Sequence, residues 1–142
     1  MKKLLLSALL ITGAIAVNAQ NVNNNTQCYI KIRELCYDPN DCTGPGNPPP
    51  PFTPSGVVIS VGPHGTQALP APSCTPPQKV AYEVCWDQSQ CSVPCVIIDG
   101  QVPPDPSCFP DNTSLAPCVD CNPAGSVPTP VVFTSSGDIN IN

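Results

Sequence analysis

The residues able to do chemistry in this 142-residue chain are ten cysteines, ten carboxylates and one histidine. Their spacing decides between a staple, a metal site and an active site. The cysteines are Cys28, Cys36, Cys42, Cys74, Cys85, Cys91, Cys95, Cys108, Cys118 and Cys121. An even number in an exported chain points to five disulfides, because that compartment is oxidising. Each bridge is worth about 2–4 kcal/mol, so five match the whole net stability of an ordinary domain. Ten cysteines allow about 945 connectivities. The local pairs are Cys36 with Cys42, across Tyr37-Asp38-Pro39-Asn40-Asp41, and then Cys91 with Cys95.

Metal binding competes for the same thiols. Cys118-Val119-Asp120-Cys121 has the two-residue spacing of a zinc knuckle, in which adjacent thiolates on a tight turn share one tetrahedral ion. A zinc site of that kind needs a second such pair, and Cys91 and Cys95 are separated by three residues, including Pro94. The spacing also suits a redox dithiol, but no helix follows to lower a thiol pKa. Asp38-Pro39-Asn40-Asp41, and Asp105 with Asp111, offer oxygens without the spacing of a calcium loop. The expectation is structural disulfides, with no metal and no cofactor.

Catalytic readings run short of residues. His64 is the sole histidine and falls in the turn Gly62-Pro63-His64-Gly65. Nucleophilic catalysis needs a histidine in a cleft with a nucleophile and an orienting partner. No serine has the glycine pattern of a nucleophile elbow, and no glycine loop is built to cradle phosphate. A glycosidase needs two carboxylates across a cleft, and nothing in the sequence pairs Glu34 with Glu83. Recognition falls to the aromatic residues. Tyr82 and Trp86 alternate with Val80 and Val84 and read as core, whereas Tyr29 alternates with Lys31 and Arg33 on the polar side of a strand. That cluster is a landing point for an acidic glycan or for carboxylates of a partner. Asn24-Asn25-Thr26 and Asn112-Thr113-Ser114 are glycosylation sequons in a eukaryotic host only.

The elements that must position these residues are strands. After residue 19 the chain holds thirteen Val and seven Ile against three Leu. β-branched side chains favour pleated sheet, and 21 prolines interrupt the chain too often for long helices. Alternation predicts a strand over Gln27–Leu35, with Cys28, Ile30 and Ile32 on one side. Further strands are predicted at Val57–Val61, Thr66–Leu69, Val80–Trp86 and Cys95–Ile98. Asp99-Gly100 suits a tight hairpin, and Val131–Phe133 with Asp138–Asn142 forms a last hairpin around Ser135-Ser136-Gly137. Thr43–Ser55, with Pro48-Pro49-Pro50-Pro51, is predicted as polyproline II. Val102–Pro130 reads as a long proline-rich loop held by its three cysteines. The expected architecture is all-β: a single disulfide-stapled β-sandwich, or a partly open barrel, of six to seven short strands with long Pro/Cys-rich loops.

Residues 1–19 read as a signal peptide. Lys2 and Lys3 precede an apolar run over Leu4–Val17, and Val17-Asn18-Ala19 offers small residues for cleavage. The run is shorter than the roughly 20 residues of a spanning helix. Cleavage after Ala19 leaves 123 of the 142 residues, expected as one domain over 20–142, secreted or periplasmic, with no transmembrane segment. Gln20 would then head the chain, where it could cyclise to pyroglutamate. Three basic residues (Lys31, Arg33 and Lys79) then face ten acidic ones, a formal net charge of −7. Nucleic-acid partners are disfavoured, because such affinity rests on neutralising phosphates.

Leu69-Pro70-Ala71-Pro72, then Pro76-Pro77, then Tyr82-Glu83-Val84-Cys85-Trp86, together with the Asn-rich opening into Thr26-Gln27-Cys28, resemble short cysteine-rich exported proteins of Bacteroidota. The resemblance implies export and a β fold and nothing catalytic. The reading is a secreted, non-enzymatic binding or structural surface protein, with a protein or glycan of the cell envelope as partner. A small protease inhibitor presenting residues 102–117 is the alternative, and a carbohydrate-binding module the third.

Overall fold

Runs of β-branched residues broken by proline and glycine can only be short and extended. The computed structural model describes residues 20–42, 50–88, 91, 93–103, 108–118, 121 and 127–142. Over these the protein is all-β, with two sheets and five disulfides. The strands are β1 (Asn21–Asn24), β2 (Ile30–Tyr37), β3 (Thr53–Val61), β4 (Thr66–Ala68), β5 (Lys79–Trp86), β6 (Val96–Asp99), β7 (Asn112–Leu115), β8 (Thr129–Phe133) and β9 (Ile139–Ile141). One sheet runs β4-β1-β9-β8-β7 and the other β3-β2-β5-β6. All neighbours are antiparallel except β1 and β9, which run parallel. The leader at 1–19 and its cleavage point lie outside the described residues. Among the described residues no helix is long and apolar enough to cross a membrane.

Among the described residues nine strands replace the six or seven expected, and the two unforeseen ones are instructive. β1 is Asn-Val-Asn-Asn, which carries no apolar signal. It is held by neighbours: Val22 pairs with Ile139, and Asn23 Nδ2 donates to Asn140 Oδ1 at 2.8 Å. β7 lies inside the stretch read as one long loop and pairs with β8 from Asn112↔Val132 to Leu115↔Thr129. Two turn and linker expectations also fail. Thr53–Ser55 belongs to β3, where Pro54 sits opposite Leu35; an edge strand tolerates a proline that donates no ladder bond. Asp99-Gly100 does not join β6 to a hairpin partner, because the next strand, β7, belongs to the other sheet. The buried Asp99 carboxylate instead accepts from the Gly100 and Gln101 amides at 2.9 and 3.2 Å. Gly100 is required there by close approach, since a Cβ would meet the Tyr82 ring and Val80 at 2.9 Å.

Both sheets feed one buried cluster. Val22, Leu115, Val131, Phe133, Ile139 and Ile141 enter it from the five-stranded sheet. Ile30, Ile32, Val61, Val80, Tyr82, Val84, Trp86 and Ile98 enter from the four-stranded one. The alternation predicted for Cys28–Arg33 and Val80–Trp86 is the alternation observed, with Tyr82 and Trp86 inside. A smaller cluster of Tyr37, Ala81 and Phe109, with Phe52 beside them, covers one end of the opposite face of the four-stranded sheet. Tyr37 and Phe109 meet edge to face, with centroids 5.1 Å apart.

The disulfides join Cys28–Cys121, Cys36–Cys74, Cys42–Cys108, Cys85–Cys95 and Cys91–Cys118. Neither expected local pair exists. Cys36 lies on β2, and its bridge reaches Cys74 across a Cα–Cα distance of 5.5 Å, while Cys42 takes Cys108 and so pins the segment carrying Phe109. Cys95, just before β6, takes Cys85 on the adjacent β5. Short sequence separation lowers the entropy of closing a loop, but a bridge forms only where the fold sets two Cβ atoms facing at the right span.

Candidate functional site

The second face of the four-stranded sheet is covered at one end by Phe109 and Phe52 and open at the other. Register places its side chains in rows. Ser60, Lys31 and Cys85 stand side by side, and in the next row stand Val58, Arg33, Glu83 and Ile97. Tyr29 precedes β2 at the edge of these rows, where its carbonyl accepts from the Asp87 amide at 2.9 Å. Tyr29 is 51% exposed and Val58 47%. These three candidate residues (Tyr29, Lys31 and Arg33) therefore share one open face.

The charge of this face differs from the sequence expectation. Arg33 Nη1 lies 3.3 Å from Glu83 Oε2, and Asp87 Oδ2 accepts from the Ser60 hydroxyl at 2.7 Å. The Arg33 charge is matched by Glu83 directly across the β2–β5 ladder, so Lys31 is the cation without an ion pair among the described residues. The face is close to neutral in sum, a mixed polar and aromatic platform.

Tyr29 is held from below. A Cβ on Gly62 would meet the Tyr29 ring at 3.4 Å, within van der Waals contact, so the ring lies against the Gly62 backbone. That backbone is fixed by Asn24, whose Nδ2 donates to the carbonyls of Cys28, Val61 and Gly62 at 2.7, 3.1 and 2.9 Å. Asn24 Oδ1 accepts from the Thr26 amide and hydroxyl at 3.0 and 2.7 Å. Asn24 is fully buried, so the acceptor of the first sequon is consumed by the fold. Nothing in the sequence distinguishes Asn24 from its asparagine neighbours.

The remaining candidates are dispersed. Tyr37, Tyr82 and Trp86 are buried, whereas Tyr29 is exposed. His64 is exposed in its turn with φ 51°, as the sequence suggests. Glu34 and Glu83 face opposite sides of the sheet and do not form a pair. Asp38 Oδ1 accepts from the Asn40 amide at 2.8 Å, capping a short 3-10 turn at Pro39–Asp41, which accounts for that acidic run. Asp105 lies outside the described residues. In the 102–117 segment, residues 104–107 lie outside the described residues. Around them, Cys108 is bridged, Phe109 and Leu115 are buried, and Asn112–Leu115 is strand. Among the described residues three groups bring possible metal ligands within 4.8 Å: Cys91, Cys118 and Cys121; Glu34, Cys36 and Cys74; Glu83, Cys85 and Cys95. Every sulfur in them is bonded in a disulfide and has no thiolate to give.

Glu34 was not singled out as part of a site, and its position is unusual. It points into the core at 1% exposure, where Oε1 accepts from the Ser73 amide at 2.9 Å and hydroxyl at 2.6 Å. Oε2 has no hydrogen-bond partner among the described residues. Tyr82 sits opposite it in register, with its hydroxyl donating to Gln20 Oε1 at 3.3 Å. Burial, and then the nearby Glu34 carboxyl, push the Tyr82 phenol well above the usual tyrosine range. The folded state thus holds the phenol neutral. Its contribution to stability is fully present below the unfolded value of about 10 and is lost as pH rises above it. In an alkaline absorbance titration, the phenolate signal missing from Tyr82→Phe is expected to appear only with unfolding. A Tyr82 signal near pH ~10 in the folded protein contradicts this.

Comparison of the chain with protein-family models, with curated proteins and with solved structures returns no match.

Proposed function

We propose that this is an exported, non-enzymatic binding protein of the cell envelope, built as a disulfide-stapled β-sandwich that offers the open end of its four-stranded sheet to a protein or glycan partner. The observation that carries the reading is the half-exposed Tyr29 ring, seated on Gly62 at the edge of rows holding Lys31, Ser60 and Val58. A ring held this way gives flat contact area at little cost in side-chain entropy on binding. Neutralisation of Arg33 by Glu83 favours a partner recognised by stacking and hydrogen bonds over one recognised by bulk negative charge. Two sheets feeding one core support the sandwich form. Export is supported by the leader-like residues 1–19 and the five bridges.

Retention on the producing organism's own envelope fraction tests this. Tyr29→Ala is expected to weaken retention about tenfold or more, the scale of an interface anchor. Lys31→Glu is expected to weaken it and to change its salt dependence. Both variants should keep wild-type stability within about 0.5 kcal/mol, as exposed substitutions do. Unchanged retention in both variants removes this face as the binding surface.

A further inference from the structure

Two bridges meet in the core. Cys28–Cys121 and Cys91–Cys118 draw on three separate parts of the chain, and Cys91 Sγ lies 3.6 Å from Cys121 Sγ, in van der Waals contact. The sulfurs of Cys91, Cys118 and Cys121 all lie within 4.8 Å of one another. No other bridge among the described residues has a third cysteine sulfur within that distance of both its atoms. Exposure is graded across the cluster: Cys91 and Cys118 retain 8% and 6%, Cys28 and Cys121 only 1% and 2%.

We propose that these four cysteines form a thiol-exchange site, at which a small-molecule thiol opens Cys91–Cys118 and the freed Cys91 then takes Cys121 from Cys28. Exchange proceeds by attack of a thiolate on a disulfide sulfur, with the partner sulfur leaving as thiolate. The incoming thiol loses its proton and bonds to Cys118, and Cys91 leaves as thiolate 3.6 Å from its next target. Cys91 bonds to Cys121, the Cys28–Cys121 bond breaks, and Cys28 leaves as thiolate and takes up a proton. One external thiol and two bridges become one mixed disulfide at Cys118, one new bridge Cys91–Cys121 and one thiol at Cys28. No oxidant is consumed. The site converts a modification at the more exposed bridge into release of Cys28, the residue next to Tyr29.

The native protein is incubated with reduced glutathione, quenched in acid, alkylated and mapped by digestion and mass spectrometry. The expected products are glutathione on Cys118, a Cys91–Cys121 peptide and alkylated Cys28, formed faster as pH rises, since only thiolate attacks. Alkylated Cys91 with Cys28–Cys121 intact overturns the proposal, as does survival of all five native bridges. Cys118→Ser needs no added thiol: its unpaired cysteine is expected at Cys28 in an amount comparable to Cys91, and confinement to Cys91 overturns the proposal. Cys42→Ser, which frees Cys108 in the other cluster, is expected to leave the remaining four pairings unchanged. Should Cys118→Ser lose its near-ultraviolet circular dichroism, the glutathione map of the native protein decides by itself.

Discussion

Replacing Cys28 and Cys121 together by alanine is expected to lower stability by about 3.6 kcal/mol through chain entropy alone. The bridge spans 93 residues, which would correspond to about 4.6 kcal/mol if it stood alone. It does not stand alone. The ends remain joined by a shorter path, from 28 to 36, across to 74, along to 91, across to 118 and on to 121, about 28 residues of chain. Both sulfurs also sit in the core, so lost packing adds in the same direction. The comparison is the double alanine variant of Cys85 and Cys95, whose bridge closes ten residues and whose loss is expected to cost about 2.7 kcal/mol. Urea unfolding of the two variants, followed by circular dichroism, gives the order. If the Cys85–Cys95 variant is the less stable, loop closure is not how the bridges act in this chain.

Asn24→Ala is expected to cost about 3 kcal/mol or more, the range for breaking a buried hydrogen-bond network. One side-chain amide serves three carbonyls and holds Thr26 by both its amide and its hydroxyl. Alanine leaves these groups buried and short of partners. Asn24→Asp separates the two halves of the argument, because it keeps the oxygen that Thr26 needs and sets a second oxygen against the three carbonyls. It is expected to be as damaging as alanine or more so. Thermal unfolding of the two variants decides the matter: an Asn24→Asp protein as stable as the wild type means the donated bonds contribute little. The same network seats the backbone beneath Tyr29, so Asn24→Ala should also weaken envelope retention, whereas Tyr29→Ala should weaken retention alone.

The part of the candidate site visible in the sequence is the alternation of Tyr29, Lys31 and Arg33, since period two along one strand is local information. The neutralising Glu83 was not visible, because it arrives from β5, fifty residues away in sequence, and which β5 residue faces Arg33 is a matter of register. The alternation that sets Ile30 and Ile32 inward carries Glu34 inward as well, and the β2–β5 register runs unbroken through it; the Ser73 bonds that let a carboxyl sit there come from a segment 39 residues away and were not visible in the sequence.

The amino-acid sequence by itself determined the all-β class, the inward faces of β2 and β5, the turns at Gly62–Gly65 and around Gly137, and the number of bridges available. Each of these depends on side-chain branching, on the two-residue period of a strand, on the φ that glycine permits (+92° at Gly137), or on a count. Only the tertiary structure decided which cysteines pair, that an asparagine-rich segment becomes a strand parallel to the last one, and that two bridges touch in the core. Those outcomes depend on distances between residues far apart in sequence. Such distances are set by the joint packing of both sheets, to which no single segment holds the information.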